Sequence, residues 1–266
     1  MFQALRQIFA RGPAEPVAAI PAGQRVYAVG DIHGRRDLFE TLVEAIDVDD
    51  AGLEPAETTI ILLGDLVDRG ADSAGVITLA REWQKRRRVR ILAGNHEEMF
   101  LRSLRKLEVF RHFLRHGGRE TLLSYGIDRT AFAQASMEEA QEMMIAAVPP
   151  EDIAFLEGFE DMISIGDYLF VHAGIDPRVP IEEQQVHDLR WIREPFLSHA
   201  ESHGQVVIHG HTICDSPEDC GNRIGIDTGA YMSGRLTAIV LEGTRRRYIE
   251  AVQGEGGEIA AAALAA

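Results

Sequence analysis

The sequence predicts an α/β protein organised around a mainly parallel sheet, and three features say so. Short β-branched runs recur, each closing on Gly with polar residues just behind it. They are RVYAVGDIHG (25–34), TIILLGDLVDRG (59–70), VRILAGNHE (89–97), YLFVHAG (168–174) and VVIHGHT (206–212). Apolar runs of this length bounded by Gly are what strands buried on both faces look like. Helical periodicity fills the gaps between the first three, over 35–47 and 73–88, and such alternation implies right-handed crossovers. The composition agrees: 266 residues with 45% hydrophobic and 26% charged side chains bury a sizeable core as one domain.

In chain order, residues 1–24 read as an N-terminal arm. MFQALRQIFARG is a poor signal peptide, because Arg6, Gln7 and Arg11 break its apolar stretch, and it predicts a short helix or a frayed end. Residues 25–253 form the predicted main domain. Within it, 98–160 is helical with little strand character, broken at Pro149-Pro150, and reads as an insertion or cap. After Asp215, RIGIDTG, RLTAIVLEG and RRYIEAV follow at hairpin-like spacing and predict an antiparallel second sheet. The tail GEGGEIAAAALAA (254–266) has little to bury and is expected to be flexible.

Several function classes are disfavoured at once. Forty-two acidic residues against 27 basic ones give a net charge of −15, the wrong sign for a protein that grips nucleic-acid phosphates. The run Lys85-Arg86-Arg87-Arg88 sits at a predicted helix C-terminus, where cations complement the dipole, and reads as a solvated face. No stretch approaches the apolar length of a membrane span, so a cytoplasmic location without membrane or nucleic-acid partners is expected. Cys214 and Cys220, with five residues between them, fit neither a zinc site nor a redox pair.

The chemistry gathers at five strand ends: Asp31 and His33, Asp65 and Asp68, Asn95 and His96, His172, then His209 and His211. Carboxyl ends of strands in an α/β sheet converge on one crevice, so these groups are expected to share a site. A lone Asp or His there is usually a cap or a turn residue, but five such clusters are not dismissed so easily. Carboxylate with imidazole and no thiolate suits Mn, Fe or Zn better than Ca or Mg. The donors are too many for one tetrahedral zinc. Two divalent ions sharing one Asp would use them all, as a clamp for in-line displacement at phosphorus.

These same blocks carry a resemblance. GDIHG (30–34), GDLVDRG (64–70), GNHE (94–97), HAG (172–174) and GHT (210–212) resemble the signature blocks of calcineurin-like metallophosphoesterases. QQVHDLRWIRE (184–194), HGHT (209–212) and GIDTGAYMSGRLTAIVLEG (225–243) are similar to the phage lambda and bacterial serine/threonine protein phosphatases. The resemblance implies a four-layer α/β/β/α sandwich with the helical insertion at 98–160. It implies that Asp31 and His33 bind a first metal, that Asp65 bridges, and that Asn95, His172 and His211 complete a second. His96 would be the general acid, oriented by Asp68. Asn95, Arg69 and Arg193 would hold phosphoryl oxygens, and a hydroxide bridging the metals would attack phosphorus.

Where nucleases and cyclic phosphodiesterases of this superfamily show G-H-x-H, the chain has Gly210-His211-Thr212-Ile213, which favours the phosphoprotein phosphatase branch. His209 is read as a core or supporting residue rather than a ligand. His112, His116, His187, His199 and His203 read as surface or cap residues, and HGGRETLLSYG (116–126) as a segment near the site mouth. The resemblance thus implies a Mn-dependent hydrolase of phosphoserine and phosphothreonine in proteins or peptides. The alternative is a symmetrical dinucleoside polyphosphate hydrolase, which shares nearly every block. A catalytically silent scaffold is disfavoured, because every expected ligand position is filled.

Overall fold

Along the first strand Val26 and Ala28 face one way, Tyr27 and Val29 the other, and all four are buried. A strand apolar at both parities must be covered on both faces, and that requirement sets the architecture. The computed structural model describes residues 17–265. β1 (Gln24–Val29), α1 (Arg36–Ala51), β2 (Glu57–Leu62), α2 (Ser73–Arg86) and β3 (Val89–Ile91) follow in order, and the three strands pair in parallel. Leu38, Phe39, Leu42 and Ile46 of α1, with Val76, Ala80 and Trp83 of α2, cover the Tyr27–Val29 face. The start of α2 is fixed by Asp72, whose carboxylate accepts the Gly75 N–H at 2.8 Å.

The helical region opens at Asn95 rather than 98. It comprises α3 (Asn95–Ser103), α4 (Leu107–Phe113), a π-type turn at Leu114–Gly118, α5 (Arg119–Ser124), α6 (Arg129–Gln134), α7 (Met137–Ala147) and α8 (Pro150–Glu157). Phe100, Phe110, Phe113, Leu122 and Met144 give it a core of its own, which Val67 and Ile77 join to the first layer. It is a cap rooted on the site loops.

A second sheet follows, from β4 (Met162–Ile165) and β5 (Tyr168–Val171), past α9 (Val186–Trp191), to β6 (Val206–His209), β7 (Glu218–Asp219) and β8 (Arg223–Gly225). Ile163, Tyr168, Phe170, Ile208 and Ile224 on its inner face meet Val26, Ala28 and Ile61 of the first sheet. Leu169, Val171 and Val207 on its outer face are covered by Ile175, Leu189 and Phe196. Two sheets flanked by helical layers result, as predicted.

Two expectations are corrected. After α10 (Ala230–Ser233), the hairpin β9 (Arg235–Glu242) and β10 (Arg245–Gln253) does not belong to the second sheet. β9 pairs antiparallel with β1, Val29 against Ala238, and extends the first sheet to β11-β10-β9-β1-β2-β3. Leu236 through Leu241 are all buried, so β9 needs a central position and finds it beside β1. The tail, expected to be flexible, supplies β11 (Ile259–Ala265), paired with β10 from Gln253↔Ile259 to Arg247↔Ala265. A tight turn with Gly257 at φ +88 starts the return, and ladder hydrogen bonds require no large side chains.

Residues 1–16 of the predicted arm lie outside the described residues. The remainder is tied down: buried Ile20 donates its N–H to the Gly243 carbonyl at 2.8 Å, and Ala19 to the Asp167 carboxylate at 2.9 Å. The basic run at 85–88 is engaged by Glu82, Asp47, Asp50 and Glu57. No described helix is long and apolar enough to cross a membrane.

Candidate active site

Three loops interlock at the carboxyl ends of β1, β2 and β3. Ile32 and His33 both donate N–H to the Asp65 carbonyl, at 3.1 and 2.8 Å, and Gly70 returns a bond to the His33 carbonyl at 3.0 Å. Gly30 and Gly70 have no room for a side chain: a Cβ would lie 2.4 Å from the Ile226 carbonyl oxygen and 2.1 Å from that of His33. Glu97, fully buried, staples the loops from α3. Its carboxylate accepts the N–H groups of Asp65 and Gly94 at 2.9 Å and of Leu66 at 2.7 Å. It sits inside the GNHE block but was not singled out in the sequence.

The non-glycine residues with left-handed φ among those described are His33, Asp65, Asp68, Arg69 and His211, all of them predicted site residues. Such a conformation costs about 1 kcal/mol or more at each. It turns their side chains out of the strand direction and into the crevice.

Asp65 lies at the centre. Its carboxylate accepts the His96 N–H at 3.0 Å and stands 3.6 Å from His33 Nε2 and 3.4 Å from His172 Nε2. His33 and His172 each donate Nδ1–H to a backbone carbonyl, of Val67 and Leu63, both at 2.8 Å. With Nδ1 engaged, each ring turns Nε2 toward the crevice, the atom a metal-ligating imidazole would offer once deprotonated. Asn95 Oδ1 is wedged between His172 Nε2 at 3.0 Å and His211 Nδ1 at 2.9 Å. Two donor groups converge, His33 with Asp65 and His96, and Asp65 with His172 and His211. They share Asp65.

Asp31 is less convergent than predicted. It accepts the His211 N–H at 3.1 and 3.2 Å and stands outside both groups, backed by Gly210, where a Cβ would lie 2.1 Å from its Oδ1. His96, implied to be the general acid, lies with His33 and Asp65 in the first group. His209 belongs to neither: its ring is buried and donates Nδ1–H to the Gly210 carbonyl at 3.0 Å, with Arg223 at 3.4 Å beyond.

The electrostatics describe a site built around positive charge. Burial alone pushes Asp31 up, and nearby Asp227 adds to it. Burial holds His33 and His211 down to about 3, so both offer lone pairs. Burial opposes charge on His172 too, but Asp65 outweighs it and carries the imidazole up to about 10. A dication between these groups would replace that internal ion pair and relieve the carboxylates. The donors fit divalent metal.

Beside them His96 donates Nδ1–H to Asp68 at 2.6 Å, and burial of the cation is outweighed by Asp65 and Asp68, which raise its pKa. Asp68 in turn accepts the Thr121 hydroxyl of α5 at 2.6 Å. Arg69 reaches His96 Nε2 at 3.1 Å and lies 4.7 Å over the Tyr231 ring. Arg193 is exposed, bonded to Thr212 Oγ1 at 3.2 Å and the His211 carbonyl at 3.3 Å. These groups surround a cleft of about 480 Å³, which Trp191, Tyr231, His112 and His116 also line. The two cap histidines, expected to be bland surface residues, are exposed but face the site. His187, His199 and His203 do not line it.

A pair of stacked sheets that collects Asp, His and Asn donors at one crevice defines a metallophosphoesterase, a metal-dependent hydrolase of phosphate esters. The chain belongs to the calcineurin-like phosphoesterase family, whose model matches residues 24–224. It is 24% identical over 234 residues to the bis(5'-nucleosyl)-tetraphosphatase PrpE (asymmetrical) of Anoxybacillus flavithermus, covering 79% of this chain and 88% of that one. It is 27% identical over 219 residues to serine/threonine-protein phosphatase 1 of Salmonella typhimurium, covering 80% and 90%. A solved structure provisionally described as a diadenosine tetraphosphatase shares the fold, with a TM-score of 0.60, 22% identity and coverage of 93% and 98%.

Proposed function

We propose that the chain is a two-metal hydrolase that releases phosphate from phosphoserine and phosphothreonine in proteins or peptides, with Mn as the working ion. The observation that carries this is the pair of donor groups sharing Asp65, flanked by an Asp68–His96 dyad and two arginines on one cleft. Asp31, His33 and Asp65 would hold one ion, and Asp65, Asn95, His172 and His211 the other. The ions would supply a nucleophile at neutral pH and neutralise phosphoryl charge.

The rest falls to the chain's own side chains. Arg69 and Arg193 fork onto phosphoryl oxygens, for which a planar guanidinium is matched. Arg69 points a donor at His96 Nε2, the nitrogen that would carry the acid's proton. Drawing Arg69 onto the phosphoryl group frees that nitrogen. His96, held by Asp68, then passes its proton to the departing serine or threonine oxygen.

A second reading is favoured by relatives named as asymmetrical bis(nucleosyl)-tetraphosphatases, and by two aromatic side chains, Trp191 and Tyr231, among the residues lining the cleft. Those names point to an asymmetrical cut rather than the symmetrical one that the sequence resemblance implies. Mn-loaded protein given a phosphoserine peptide and diadenosine tetraphosphate in parallel separates the readings. Faster phosphate release from the peptide supports the first, and faster formation of ATP and AMP the second. Turnover of neither, with metal bound, sinks both.

A further inference from the structure

The reading above leaves one stretch of the cleft wall without a task. His112 and His116 are exposed and line the cleft from the cap side, beside His96 and Arg69. Their ring centroids are 4.0 Å apart, and His116 donates Nδ1–H to the His112 carbonyl at 2.8 Å, which keeps its Nε2 for another partner. Their position is fixed. Gly117, at φ +105, accepts the Arg69 N–H at 3.1 Å, and a Cβ there would lie 2.6 Å from the Arg69 nitrogen and Cγ.

The charge balance of this wall runs against the rest of the molecule. The chain carries −15 overall, yet the cleft lining sets Arg69, Arg193, His96, His112 and His116 beside one lining carboxylate, Asp65. The crevice's other acids, Asp31, Asp68, Glu97 and Asp227, are buried and not part of that lining. Burial lowers the His112 pKa first, and His116 and Arg115 lower it further, the mark of a local positive potential. Low-dielectric walls lined by one sign of charge concentrate ligands of the other. Two arginines and the metals suffice for one phosphoryl group, so the imidazole pair is surplus to it.

We infer that His112 and His116 form a second anion subsite, which takes an acidic group carried next to the scissile phosphate. This rests on the phosphoester hydrolase reading. The acidic group is a flanking carboxylate in a phosphopeptide or the next phosphate of a phosphoanhydride chain. The pair is a specificity device. It senses what lies beside the bond and takes no part in breaking it.

The test compares wild type with the His112→Gln/His116→Gln double variant, both Mn-loaded, at low salt and at a mildly acidic pH, since burial and the neighbouring cations lower the His112 pKa. Substrates are p-nitrophenyl phosphate, phosphoserine peptides flanked by Ala or by Glu, and ATP against AMP. The double variant should lose about fivefold more kcat/KM on the acidic members than on p-nitrophenyl phosphate, the scale of an exposed charge contact. The loss should appear in KM and fade at 0.5 M salt. Loss confined to the Glu peptide, or to ATP, identifies the source of the second anion. Equal losses on every substrate, or an unchanged preference, overturn the subsite. Calorimetry with non-hydrolysable phosphonate versions of the two peptides reads the same preference without turnover. Preference abolished by the variant in a protein that hydrolyses nothing would keep the subsite and discard the hydrolase reading.

Discussion

His96 is gripped at Nδ1 by Asp68 at 2.6 Å and faces the cleft with Nε2. A general acid is worth about 10²–10⁴-fold and matters most for a poor leaving group. His96→Asn should therefore lose far more activity on phosphoserine peptides than on p-nitrophenyl phosphate, whose phenolate departs unaided. Comparable losses on both, or loss of bound metal, would make His96 a ligand. Arg193, exposed and held only through Thr212 and a carbonyl, can be removed without disturbing the donors. Arg193→Ala should raise KM or lower kcat about tenfold at unchanged metal content, with Lys rescuing in part because a point charge lacks the fork. Full rescue by Lys would show that fork geometry is irrelevant. At this scale the sequence was most readable: a polar residue placed just after a buried strand has few places to point. The segment 116–126 was placed near the site mouth by its resemblance, but the separate roles of His116 and Thr121, and His112 altogether, were not readable, because their positions depend on how a helical cap folds back over the strand ends.

Among the elements, α5 reaches furthest into the chemistry. Thr121 donates to Asp68 Oδ1 at 2.6 Å, accepts the Asp68 N–H at 3.0 Å and contacts Ser73 Oγ at 3.0 Å, so a cap helix orients the residue that orients His96. Thr121→Val leaves a buried carboxylate oxygen short of a donor, at a cost of about 1–3 kcal/mol. It should lower kcat on phosphoserine peptides with little change in KM, and Thr121→Ser should restore most of it. A Val variant as active as wild type would reduce Thr121 to packing. The elements also show where local pattern stops informing. The hairpin at 235–253 was visible in the alternation, but its sheet was not, because Val26↔Leu241 pairing is a long-range choice. The run of alanines in β11 has weak strand preference by itself, and the partner strand β10 decides its fate.

Over the whole molecule, the first sheet, the second sheet and the cap all end on one crevice crowded with buried acids: Asp31, Asp65, Asp68, Glu97 and Asp227. Such a fold is incompletely neutralised alone. Anything that binds the native state and not the unfolded chain stabilises it, by about 2.7 kcal/mol at a hundredfold excess over Kd. For a protein of this size that corresponds to roughly 5–10 °C. Mn titrated into metal-stripped protein should raise Tm on that scale, chelator should reverse it, and Asp65→Asn should blunt it. A Tm indifferent to Mn would mean that the two donor groups hold no ion.

The left-handed backbone at His33, Asp65, Asp68, Arg69 and His211 has a consequence for evolution in the laboratory. Each position is one where glycine would rest more easily than the residue present, and each lies where the chemistry is proposed to occur. Stability and turnover therefore pull on the same few codons in opposite directions. A library selected only for surviving heat should accumulate glycine at Arg69, the least buried of the backbone-strained residues on the β2 loop, and sequencing its survivors would show it. Those survivors would be sturdier proteins and poorer hydrolases.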